Sequence, residues 1–77
     1  MATQTASVRI AANVLEMRRA LDRLESTLDV NSAKEQIAFA AFRAKFESIY
    51  YGMVVTFSEV HSDWTWFQVG LSHGEAQ

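Results

Sequence analysis

The side chains best suited to chemistry crowd into the last third of the chain, where Ser58, Glu59, His61, Asp63, His73 and Glu75 fall close together. Imidazole and carboxylate together suit zinc, manganese or nickel. Glu59, His61 and Asp63 would aim three ligands to one side only from an extended backbone. The segment reads as a turn, so these are expected to be solvated loop and tail residues, with no metal. Ser58, His61 and Asp63 also have the residue types of a nucleophilic triad, but three polar residues this close in a turn are more simply a turn. General acid–base catalysis needs a sheltered, perturbed group, and the acids lie largely on expected solvent faces. Gly52, Gly70 and Gly74 form no phosphate loop. The chain has no cysteine, which removes thiol catalysis, disulfides and zinc knuckles. A non-enzyme without cofactor is expected.

The same region offers aromatic contact instead. Trp64 and Trp66 stand beside Glu59 and Asp63, and tryptophan dominates binding hot spots. Residues 1–45 hold all seven Lys and Arg against five acids, and residues 46–77 hold four acids with no Lys or Arg. Nucleic-acid binding interleaves aromatics with cations, because phosphate neutralisation supplies much of the affinity. Here the two lie mostly in different halves, which argues against DNA or RNA and favours a protein partner with a basic surface. Trp64, Trp66, Glu59 and Asp63 are the expected partner-binding residues.

The elements that position these residues are read from periodicity. Ile10, Val14, Met17, Leu21, Leu24 and Leu28 recur at spacings of four and three, an a/d seam over nearly three heptads. Val8, Ala11 and Leu15 form a shorter strip beside it, and Arg18 and Asp22 an i,i+4 pair. The break at Asp29, Val30 and Asn31 precedes Ser32 and Glu35, which have the form of a capping box. A short link there folds the second helix antiparallel to the first.

That second helix, residues 33–51, is apolar on two opposite sides at about 100° per residue. Phe39, Phe42, Phe46, Ile49 and Met53 fall on one arc, and Ile37, Ala40, Ala41, Ala44 and Ser48 on the other. The alanine arc is expected against the first helix. Phe39, Phe42, Phe46 and Ile49 are then the expected face toward the hairpin or a second subunit, giving a homodimer. Gly52 reads as the C-terminal stop. Beyond it, residues 53–57 and 64–69 are β-branched and aromatic, which predicts two strands turning around residues 60–63. Alternation then sets Val55 and Phe57, with Phe67, Val69 and Leu71, toward the helices, and Trp64 and Trp66 together on the outer face.

Residues 15–25 resemble the opening helix of the all-helical chorismate mutases. Those enzymes continue with two further helices and more basic residues contacting substrate. Residues 46–77 carry no Lys or Arg, so the resemblance covers one helix and carries no activity across.

The expected architecture is α+β: an antiparallel αα-hairpin followed by a C-terminal β-hairpin, in a single domain spanning 1–77, with residues 1–6 and 72–77 as disordered tails. The alternative is all-α, with the second helix extended past Gly52. The residues at the N-terminus lack the basic and apolar regions of a signal peptide, and residues 49–60, the most apolar window, are too short and polar to span a membrane. Without cysteine the chain fits a reducing cytoplasm, the host's if it is phage-encoded. The expected function is a small acidic module that binds and modulates or inhibits another protein, as many phage-encoded inhibitors of this size and composition do. The alternative is a structural subunit or assembly chaperone buried in a larger complex.

Overall fold

The computed structural model contains three α-helices: α1 (Ala2–Glu25), α2 (Ala33–Tyr50) and α3 (Phe57–Ala76). Side chains are described for residues 8–71, and the expected tails, 1–6 and 72–77, lie outside that range. The described residues contain no strand, so the expected β-hairpin is replaced by α3. The all-α alternative matches the class but not the connection. The second helix stops at Tyr50, and a new helix begins seven residues later.

The stop is a turn of residues 50–53. Tyr51 adopts φ −53° and ψ 126°, Gly52 has φ +78°, and the Met53 N–H donates to the Tyr50 carbonyl at 2.9 Å. That combination is a type II turn, which needs a positive φ at its third residue and so favours glycine. The Asn13 side-chain amide of α1 donates to the Gly52 carbonyl at 2.9 Å and ties the turn to the first helix. Gly52→Ala is expected to lower stability by about 1–2 kcal/mol, since alanine resists this backbone region. Gly52→Asn should lose less, because asparagine tolerates it. Urea unfolding midpoints of the three proteins check the order, and equal midpoints would remove the strain argument.

A capping motif starts α3. Thr56 Oγ1 accepts from the Glu59 N–H at 3.2 Å, its hydroxyl donates to the Glu59 carboxylate at 3.1 Å, and the Val60 N–H reaches the Thr56 carbonyl. Val55 before the cap is packed against the core and Val60 is fully buried, the two positions of a hydrophobic staple. At the start of α2, Ser32 Oγ accepts from the Glu35 N–H as the sequence predicts. The other half of that box differs, since the Ser32 N–H goes to the Asp29 carbonyl.

The core is the seam of α1 closed over by aromatics. Met17, Leu21, Leu24 and Leu28 are buried with Phe39, Phe42 and Phe46 of α2 and Val60 and Trp64 of α3. Ile10, at the N-terminal end of the seam, stays exposed. Two expectations for α2 are overturned here. Ala40, Ala41 and Ala44 face solvent instead of α1, and the phenylalanine arc is the side that meets both other helices. The large side chains fill the space among three helices, where alanines would leave voids. A bulky residue at Ala44 therefore meets solvent and disturbs no packing against α1.

Charges fasten the outside. Arg43 of α2 reaches Asp22 at 2.6 Å and Glu25 at 3.1 Å on α1, and Glu47 sits 3.7 Å from both Arg43 and Arg18. The expected Arg18–Asp22 pair gives way to these bridges between helices. Burial alone would lower the Arg43 pKa, but the hydrogen bond to Asp22 and the charges of Asp22 and Glu47 outweigh it, so the net direction is up. On the other flank, the Arg23 guanidinium lies 4.0 Å from the centre of the Phe57 ring and joins α1 to α3.

Candidate functional site

On a helix, residues two apart point about 200° away from one another. The two tryptophans, expected on one outer face, are therefore separated. Trp64 is 4% exposed and makes edge and tilted contacts with Phe39 and Phe42 at 5.2 and 5.3 Å, and it stacks on Phe67 at 5.9 Å. It belongs to the core. Trp66 is 71% exposed and stands on the outer side of α3.

The same geometry disperses the catalytic and metal constellations. Glu59, His61 and Asp63 alternate around α3, and no group of three or more His, Cys, Asp or Glu among the described residues is placed to hold a metal ion. His73 and Glu75 lie outside the described side chains. Ser58 and Asp63 are five residues apart on a helix, well off a common face. His61 is exposed, and its ring lies 6.1 Å from that of Phe57. Among the described residues no buried side-chain nitrogen or oxygen lacks a hydrogen-bond partner, so no polar atom waits in the interior for a ligand.

What the structure does assemble is a shallow groove of about 290 Å³ between α2 and α3. Phe42, Phe46 and Phe67 form its floor, Ile49 and Trp66 stand exposed on opposite walls, and Lys45 and Asp63 occupy the rims. Glu59, Asp63 and Trp66 follow one another at spacings of four and three, and so share one side of α3, with Asp63 half-buried against the groove. Glu59 also has a structural task in the cap.

No protein family, curated protein or solved structure matches this chain. The surface must then be read from its own chemistry.

Of the expected interface residues, Phe39, Phe42 and Phe46 are consumed by the monomer's core, and only Ile49 is exposed. Lys45 was not among the expected site residues, whereas Phe42, Phe46 and Phe67 were expected at contacts between elements or subunits and not as the floor of a groove. The signal for the groove was the spacing of Phe42, Phe46 and Ile49, which places all three toward α3 once α3 is a helix. Among the described residues no helix is long and apolar enough to cross a membrane.

Proposed function

We propose that this protein is a non-enzymatic binding module that docks a partner protein along the outer side of α3 and the adjoining groove, and so modulates or inhibits that partner. The observation that carries the reading is Trp66, a large aromatic left 71% exposed at the edge of a groove that Asp63 and three phenylalanines also line. An exposed tryptophan gives the monomer little and gives an interface a rigid anchor with a polar tip. The partner surface is basic, matching Glu59 and Asp63 in a half of the chain that has no Lys or Arg. Charge speeds encounter and burial of Trp66 supplies affinity. In this reading the protein works as a homodimer in the cytoplasm, the host's if a phage encodes it. Its dimer contact lies away from the buried phenylalanines.

A second reading, a subunit or assembly chaperone buried in a larger complex, is favoured by the outer side of α2. There Ile37 is exposed along with Ala40, Ala41, Ala44 and Ser48, an uncharged face that a permanent neighbour would cover.

Trp66→Ala is expected to weaken partner binding by about 30-fold or more, the loss typical of a hot spot, with the helices intact. Purified wild-type and variant proteins, titrated against the partner recovered from the native host, measure this. Added salt should slow association as charges are screened. Equal affinity for the two proteins would reject Trp66 as the anchor. A wild-type protein that aggregates unless co-expressed with a neighbour would favour the subunit reading.

A further inference from the structure

No residue of α1 lines the groove between α2 and α3, so the groove lies on the side of that helix pair that α1 leaves uncovered. The two helices run antiparallel along it. Phe46 and Tyr50 share one cleft with residues 58–63, and Glu35 and Ala38 share another with residues 64–71. Both walls are helical, with backbone N–H and C=O groups already paired. An extended strand laid there would find no backbone partners. A helix brings its own hydrogen bonds and needs only an apolar stripe to fill such a groove, as the fourth member of a bundle does.

Two observations say what that helix carries. Lys45 on the α2 wall and Asp63 on the α3 wall line the same groove, and neither joins an ion pair among the described residues. The walls therefore offer opposite charges, with Glu59, one turn before Asp63, adding to the acidic one. The second observation is Gly70, one turn beyond Trp66 on the same side of α3. Its φ is not positive, and a Cβ there would meet nothing within 4 Å. Glycine inside a helix is destabilising relative to alanine, and no described residue requires it at this position. It leaves room for another backbone to approach α3 closely.

We infer that the groove receives one amphipathic α-helix of the partner protein, packed close to α3 at Gly70. Its apolar stripe meets the phenylalanine floor, its basic edge meets Glu59 and Asp63, and an acidic group on its other edge meets Lys45. The inference rests on the docking proposed above and names the element that docks. The charges also set its direction. Turning the helix end for end exchanges its edges, so a helix with these edges fits one way round only.

Three synthetic peptides of about 16 residues test this by titration calorimetry against the full chain. All carry leucine at helical spacing. One has arginine along one edge of the stripe and glutamate along the other, one has arginine on both edges, and one has glutamate on both. The wild type is expected to bind the mixed peptide about fivefold tighter than either of the others, the effect of one exposed ion pair. Lys45→Glu makes both walls acidic and should move the preference to the doubly basic peptide by a similar factor. Gly70→Leu should weaken the mixed peptide by about 10-fold through overpacking, yet melt no lower than the wild type, because leucine is the better helix former. Both positions are exposed, so neither substitution disturbs the core. An unchanged preference in Lys45→Glu, or full affinity in Gly70→Leu, overturns the inference. So does a wild type that binds none of the peptides; docking at Trp66 is then judged separately, by the effect of Trp66→Ala on the recovered partner. A wild type that scatters light as a dimer, and as a monomer after Trp66→Ala, gives the groove to a second copy and also overturns the partner helix.

Discussion

Trp64→Ala is expected to melt at least about 12 °C below the wild type, while Trp66→Ala, two residues away, melts within a few degrees of it. The difference follows from where the helix puts each ring. Truncating a buried tryptophan costs about 3–5 kcal/mol, because the surrounding side chains close only part of the space. Trp64 is wedged among Phe39, Phe42 and Phe67, rings supplied by both α2 and α3, so its loss opens the centre of the aromatic cluster. A domain of this length has a total stability of roughly 4–12 kcal/mol, so the substitution removes a large fraction of it. Each kilocalorie moves the melting temperature of a chain this small by about 4–8 °C. Trp66 makes no such contacts, and exposed substitutions usually stay within about 0.5 kcal/mol. Calorimetry of both variants gives the comparison. Quenching the fluorescence of Trp64→Phe with iodide adds an independent check, because the remaining Trp66 should be freely accessible. Similar melting temperatures for the two alanine variants would contradict the burial of Trp64.

The tryptophans also show why part of this fold was legible from sequence and part was not. The α1 seam was readable because Met17, Leu21, Leu24 and Leu28 repeat at the spacing of a helix and nothing local opposes it. Ser32 and the three residues before it marked the first link equally well. In the last third, local preference and pattern disagreed. Thr65, Trp66 and Val69 favour strands, and alternation accommodated them. Yet Phe57, Val60, Trp64, Phe67 and Leu71 repeat at spacings of three and four, the same pattern as the α1 seam. Thr56 and Glu59 have the same spacing as Ser32 and Glu35, the cap twenty-four residues earlier. Burial of a continuous stripe against two helices outweighs β-propensity, which mostly reports fit to a half-buried sheet surface. The proposed docking surface was legible only in composition. Acidic and aromatic character could be read directly, but which tryptophan faced outward depended entirely on the period. The assignment of α2's two sides failed for a related reason: with a third helix to cover, the larger side chains turn inward and the alanines are left outside.

Ser62→Pro separates the helix from the expected hairpin most sharply, because Ser62 is exposed and its side chain contributes nothing to the core. It lies in the second turn of α3, past the first positions where proline is tolerated. Proline there removes the N–H that bonds to the carbonyl of Ser58 and drives its ring into that carbonyl, at a cost of about 3 kcal/mol or more. The damage spreads inward. A break at residue 62 uncouples the cap made by Thr56 and Glu59 from the segment that carries Trp64, and Val60 and Trp64 lie on either side of the break in one core. Loss of stability and loss of helical circular dichroism should therefore appear together, with Ser62→Ala, a stronger helix former, at or slightly above the wild type. In a hairpin turning around residues 60–63 the outcome would differ in sign. Proline at an exposed turn position is neutral or stabilises by a few tenths to about 1 kcal/mol through the unfolded chain, provided the turn backbone accepts it. A Ser62→Pro protein that melts with the wild type and keeps its helical signal would show that α3 does not run through this position, and the separation of Trp64 from Trp66 would fall with it.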